Sequence, residues 1–307
     1  MIEPIAFGFN EQTAVNNFFQ QQETSPAETI QQRALTEFRE MTEALRSHGV
    51  HVIIVKDTPQ PHTPDSIFPN NWISTHANGY VALYPMHAEN RRAERGQDII
   101  GRMKKEGFEV SHIRDYTQSE KTGKYLEGTG SMILDRVNGI AYAALSERTD
   151  KELFYKFCQN FEYKPVTFRA NQTVAGKRLP IYHTNVMMCV ADKYAVVCAE
   201  AIDNKEERAI VMKTLLDTGK GIIDITEEQM YRFAGNMLQV ENGEGEKLLV
   251  MSQSAYDSLR EHQIQNLKLY NDIIAVNIPT IEKQGGGSAR CMMAEIFLPK
   301  EERHINI

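Results

Sequence analysis

A cysteine, a histidine and a glutamate stand in this chain in settings that suit nucleophilic chemistry. Cys291 follows Gly285-Gly286-Gly287-Ser288-Ala289-Arg290 and opens the apolar run 292–297. Three glycines permit dihedrals closed to other residues and let a ligand or another backbone come close, so they present the thiol in an uncrowded setting. His183 sits two residues before Asn185, and Glu127 lies in Leu126-Glu127-Gly128. Brought together, the three would make a covalent catalyst. A thiolate attacks, an imidazolium lowers the thiol pKa and protonates the leaving group, and the carboxylate orients the imidazole and grips substrate nitrogen. This chemistry requires neither a metal nor a cofactor.

These residues lie far apart in sequence, and a repeated unit is expected to gather them. Helix-like stretches at 27–48, 88–106, 149–161, 204–218 and 252–269 are each followed by a strand-like run, at 50–55, 108–113, 163–168, 221–226 and 272–278. Hairpins are expected at 72–85 and 131–145, both turning on an Asn-Gly pair, and at 185–199 and 237–252. Starts recur roughly every 50 to 60 residues, the signature of a radial repeat. The fifth hairpin has only one strand, 291–298, and the N-terminal run 4–9 is left to pair with it. The expected architecture is α+β, a single domain over residues 1–307. It reads as a five-bladed α/β propeller of pseudo-five-fold ββαβ units, closed by the N-terminal strand.

On that repeat the unusual polar residues share one address. Asn70 and Asn71 precede the first hairpin, Glu127 the second; His183 and Asn185 open the third, Asn236 the fourth and Cys291 the fifth. Equivalent positions in a ring face one axis, so these side chains should converge on one pocket.

Composition sets the outer bounds. With 307 residues, 41% hydrophobic and 24% charged, the chain is an ordinary globular one. A formal charge of -7 argues against nucleic acid as a partner. No run approaches the roughly 20 apolar residues of a membrane span, and Glu3 stands where a signal peptide would be basic. A cytoplasmic protein away from membranes is expected. Cys158, Cys189, Cys198 and Cys291 show no zinc-type spacing, and Cys189 and Cys198 read as core filling. The sequence sets no oligomeric state.

The run 285–292, Leu126-Glu127-Gly128, His183-x-Asn185 and Pro64-Asp65-Ser66-Ile67-Phe68-Pro69-Asn70-Asn71 together resemble the guanidino-group-modifying enzymes, or penteins. These include arginine deiminases, dimethylarginine hydrolases and amidinotransferases. The resemblance implies the five-bladed fold, attack by Cys291 on a planar carbon, His183 as acid then base, and Glu127 gripping substrate nitrogens. It also implies a small amino-acid substrate, held by Asp65, Phe68, Asn70, Asn71, Asn185 and Asn236.

Deiminases of this type usually carry aspartates at the positions that match Asn71 and Asn185, where carboxylates pair with a cationic guanidinium. Here both are amides, each offering an acceptor and a donor. A neutral ureido group presents the matching C=O beside NH2, whereas an aspartate would face its oxygen acceptor to acceptor. The pattern therefore resembles the citrulline-utilisation hydrolases of the superfamily, as does the segment 10–17. Citrulline would give ornithine, ammonia and carbon dioxide. The rivals are a guanidine-acting deiminase or hydrolase and, from another class, a non-catalytic pentein serving as an interaction module. Arg290, Arg169 and Arg232 are candidates for the substrate's α-carboxylate, and the long polar stretch 10–26 for a lid.

Overall fold

Ile30, Ala34, Phe38, Met41 and Leu45 recur at helical spacing, and all five are buried along one face of the helix Ala27–Ser47. That face packs on the strand Asp272–Val276, where Ile274 and Val276 belong to the same core cluster. The structure, a computed structural model, describes residues 1–96 and 98–300.

The repeat appears four times in one form. An antiparallel hairpin is followed, after a helix, by a third strand parallel to the second. The strands are Ile73–Thr75, Tyr80–Leu83 and His112–Asp115; then Ile133–Asp135, Ile140–Ala144 and Lys164–Phe168. Next come Met188–Val190, Tyr194–Val197 and Gly221–Asp224, and finally Leu238–Glu241, Lys247–Ser252 and Asp272–Val276. The helix within each parallel crossover covers one face, so middle strands such as Ile140–Ala144 and Tyr194–Val197 are buried along their whole length. The architecture is mixed α/β, built from small sheets, and none of those described closes on itself.

The closure expected between the two chain ends does not form. Ile2–Glu3 pairs in parallel with Val55–Lys56, and 291–298 carries no strand. The reason is local. Cys291, Met292 and Met293 each donate a backbone bond three residues back, to Ser288, Ala289 and Arg290, so the chain leaves the cysteine in turns rather than extended. Farther on, a side chain replaces the ladder: Thr75 Oγ1 donates to Glu295 O at 2.9 Å and accepts from Phe297 N at 2.7 Å.

Two expected helices are broken. Residues 88–106 contain a 3-10 stretch, Glu89–Gly96, and a short α-helix, Ile99–Lys105; 252–269 divides into Gln253–Ser258 and Glu261–Lys268 around an extended Leu259. The hairpin Asn171–Val174 with Lys177–Pro180 has no counterpart in the sequence reading. Among the described residues no helix is long and apolar enough to cross a membrane.

Candidate active site

The glycine run is positioned from behind. Glu37, on the long helix, accepts from the backbone N–H groups of Thr280 and Ile281 at 2.9 and 3.0 Å, fixing the start of helix Pro279–Gly285. The helix ends at Gly286 in the left-handed region, φ +61°, with its N–H bonded to Glu282 O. Ser288 Oγ, 2.6 Å from Glu282 Oε1, holds the following turn. A Cβ on Gly286 would fall 2.5 Å from the Asn17 side chain, so glycine serves both the turn and a close approach by the N-terminal segment.

Cys291 emerges from this turn only 3% exposed. Its Sγ lies 3.3 Å from Asn185 Nδ2 and 3.3 Å from Asn236 Nδ2. Asn236 is fixed in turn, donating to Asn185 O at 2.9 Å and accepting from Arg290 N at 3.1 Å. Two amide N–H groups are thus aimed at one sulfur. Asn185 Oδ1 is buried with no partner.

His183 Nε2 and Glu127 Oε2 are 2.7 Å apart, both residues being almost wholly buried. Glu127 Oε1 accepts from His87 N at 2.8 Å, and Arg148 Nη1 lies 3.5 Å from Oε2. Burial alone would raise the Glu127 pKa, but Arg148 and the hydrogen bond with His183 outweigh it and hold the carboxyl below its usual range. Burial pulls the His183 imidazole down to about 4 against the pull of Glu127. The resting imidazole is therefore neutral near pH 7. With Nε2–H donated to the carboxylate, Nδ1 is the nitrogen left to accept a proton.

Cys291 and His183 line one narrow cavity with Asp65, Phe68, Asn71 and the glycine run; its volume is about 10 Å³, room for about one water. Asn71 Oδ1 accepts from Arg91 Nη1 at 2.7 Å and its Nδ2 donates to Asn70 Oδ1 at 3.0 Å. Asn70 thus supports Asn71 from behind and does not line the cavity, and Asn236 touches the sulfur. Asp65 has one oxygen bonded to Asn10 and Thr13 and the other buried without a partner; burial raises its pKa.

Arg290 does not reach this cavity. Its guanidinium turns the other way, to Met293 O and Glu295. Arg169 and Arg232 are exposed. The arginines lining the cavity are Arg91 and Arg148, which the sequence reading missed. Arg91 is saturated by Glu94, Asn71 and the carbonyls of Asp65 and Phe68. Arg148 stacks over Tyr182, 5.0 Å from the ring centre, and bonds to Asn16 and Thr13 O. Arg91 stands in the 3-10 stretch and Arg148 in a turn, with no motif to mark either as a site residue. Residues 10–21 lie across the pocket: Asn17 reaches the carbonyls of Gly285 and Gly286, Gln20 that of Gln284, and Phe19 packs among Tyr182, Tyr231 and Phe233. Among the described residues, no group of three or more His, Cys, Asp or Glu is placed to hold a metal ion.

A family model described as N,N dimethylarginine dimethylhydrolase, eukaryotic, matches residues 3–298. The chain belongs to that family. Members of the dimethylarginine dimethylhydrolase family are pentein-superfamily enzymes, and this one is a hydrolase of C–N bonds other than peptide bonds. A comparison with curated proteins found no match. Among solved structures, the N-terminal domain of ArgZ, an arginine dihydrolase from the ornithine-ammonia cycle in cyanobacteria, is 17% identical with a TM-score of 0.72, over 97% of this chain and 98% of that one. AgrE bound to ornithine and NAD+ is 18% identical with a TM-score of 0.71, and the match spans 99% of this chain but 39% of AgrE. A dimethylarginine dimethylaminohydrolase variant, captured as an adduct with S-methyl-L-thiocitrulline, is 17% identical with a TM-score of 0.61 over 85% of this chain and 88% of that one. This family member therefore shares the pentein fold of its neighbours.

Proposed function

We propose that this protein is a cysteine-dependent hydrolase of the ureido group of citrulline, releasing ornithine, ammonia and carbon dioxide. The observation that carries the reading is Asn185, whose amide donates to Cys291 Sγ while its carbonyl oxygen is buried without a partner. That oxygen is a neutral acceptor beside the nucleophile, suited to a ureido NH2. A guanidinium would find few free carboxylates: both oxygens of Glu127 are engaged, and two arginines already line the pocket.

In the proposed reaction Cys291 Sγ attacks the ureido carbon as its proton passes to His183. The tetrahedral adduct collapses, a C–N bond breaks, and the imidazolium so formed protonates the departing amine. Water, deprotonated by His183, then cleaves the thioester and restores the thiol. Ornithine leaving first gives an S-carbamoyl enzyme and then carbamate, which decomposes to ammonia and carbon dioxide; ammonia leaving first gives the same products in the other order. Arg148 is the proposed anchor for the α-carboxylate, and Asp65, through its unpartnered oxygen, for the α-ammonium group. We take residues 1–307 as one catalytic domain and its units as five blades around the pocket.

The second reading is a guanidine-acting enzyme, on arginine or a methylated arginine. It is favoured by the family's description and by the arginine dihydrolase among the structural neighbours. Ammonia release from citrulline, arginine and dimethylarginine, measured side by side, decides between them. Faster turnover of either cation would overturn the ureido reading.

A further inference from the structure

Arg148 is buried, and every acceptor around its fork except Glu127 comes from the N-terminal segment. Its Nε donates to Asn16 Oδ1 at 2.9 Å, its Nη2 to the same oxygen and to Thr13 O at 2.8 Å. Asn16 is held in this pose from its other side, donating through Nδ2 to Glu147 Oε2 at 2.9 Å. One amide oxygen and one backbone carbonyl thus occupy the two donors that a carboxylate would take in a bidentate bond. The remaining volume of about 10 Å³ leaves no space for an amino acid beside them.

We propose that Asn16, with Thr13 O, is a built-in competitor for the substrate's α-carboxylate and so a specificity-determining element. A ligand must exchange a carboxylate for these neutral acceptors on Arg148 before the segment 10–21 can move aside. This inference rests on the reading of Arg148 as the carboxylate anchor. Neutral acceptors suit the role, since a carboxylate makes the stronger, charge-assisted bond to guanidinium and wins the exchange, whereas an amide or an ester gains little over Asn16. The competition also lowers apparent affinity, because only molecules with Arg148 released are competent to bind.

Three probes separate this role from a merely structural one: L-ornithine, 5-aminopentanoate, which keeps the carboxylate and lacks the α-amino group, and 1,4-diaminobutane, which lacks the carboxylate. Binding is measured by calorimetry to wild type, Asn16→Ala and Glu147→Ala. Loss of one hydrogen-bonded competitor should tighten ornithine and 5-aminopentanoate about fivefold in Asn16→Ala. Glu147→Ala should give a smaller gain of the same sign, and diaminobutane should be unchanged in both. Weaker binding of the two carboxylates in Asn16→Ala, or an equal change for all three probes, overturns the proposal. So does an absence of ornithine binding to every form. The citrulline-against-arginine comparison on the same wild-type sample tests the head-group reading separately, because ornithine carries neither head group.

Discussion

Glu127 Oε2 and His183 Nε2 meet at 2.7 Å in a fully buried pair that leaves the imidazole neutral, with its pKa pulled down to about 4. The folded protein therefore binds fewer protons at His183 than the unfolded chain does between pH 4 and 6.5. Stability from this group is complete above about 6.5 and is lost as pH falls toward 4. Wild type should lose up to about 3 kcal/mol across that window relative to His183→Gln, at about 1.4 kcal/mol per pH unit. Denaturant unfolding of both proteins at pH 7 and pH 4.5 reads the difference; parallel losses in the two would show that His183 titrates near its ordinary value.

The same substitution should lower turnover by about 100- to 10,000-fold, the range for a lost general acid/base, with the fold retained at pH 7. Cys291→Ala should go further and remove turnover altogether, along with the mass of an acyl adduct seen on intact wild-type protein quenched during turnover. Wild type should keep full activity in chelator. An active Cys291→Ala protein would remove the nucleophile from the scheme.

A substitution at Gly130 should damage chemistry more than stability. Its φ is not in the left-handed region, so the backbone there accepts alanine. A Cβ, however, would fall 2.5 Å from Asn71 Nδ2 and 2.8 Å from His183 Nδ1 and Cε1. One methyl would push apart the Asn71 amide and the proposed base His183. Displacements of about 1 Å in such sites lower rates by about 100-fold, so Gly130→Ala should lose kcat on that scale while its thermal midpoint moves by only a few degrees. Turnover within about threefold of wild type would mean that the two side chains give way without consequence.

The hairpins were legible because Asn78-Gly79 and Asn138-Gly139 mark tight turns between alternating apolar runs, and these do flank the pairs Ile73–Thr75 with Tyr80–Leu83 and Ile133–Asp135 with Ile140–Ala144. Glu127 and His183 could be picked out because each stands just before a repeated hairpin, and Cys291 because of the glycine run that precedes it. The closing strand was misread because an apolar run after Cys291 has the composition of a strand, while its path is set by turns and by Thr75, a residue more than 200 positions away. Arg148 had no signal at all. What distinguishes it is burial against Tyr182 and contacts with residues 13 and 16, which only the folded chain brings together.

Specificity should turn on Asn185 far more than on Asn71. Asn71 Oδ1 already accepts from Arg91 at 2.7 Å, so an aspartate at 71 would spend its charge on that guanidinium. Asn185 has a different neighbourhood: its Nδ2 donates to Cys291 Sγ and its Oδ1 has no partner, so an aspartate there would present an uncompensated carboxylate to the proposed head group. Such a charge repels a ureido oxygen and attracts a guanidinium. It also disfavours the thiolate beside it, lowering absolute rates for both substrates, and a ratio of kcat/KM values cancels that common loss. Asn185→Asp alone should move the arginine-to-citrulline ratio toward arginine by about 100-fold, inside the 10,000-fold that a mismatched hydrogen-bonding site can impose. Asn71→Asp should move it by less than about tenfold, consistent with a charge already paired. An equal shift from the two substitutions would show that Asn71 acts on the head group as much as Asn185 does, and an unmoved ratio in both would remove the amides from the account of specificity.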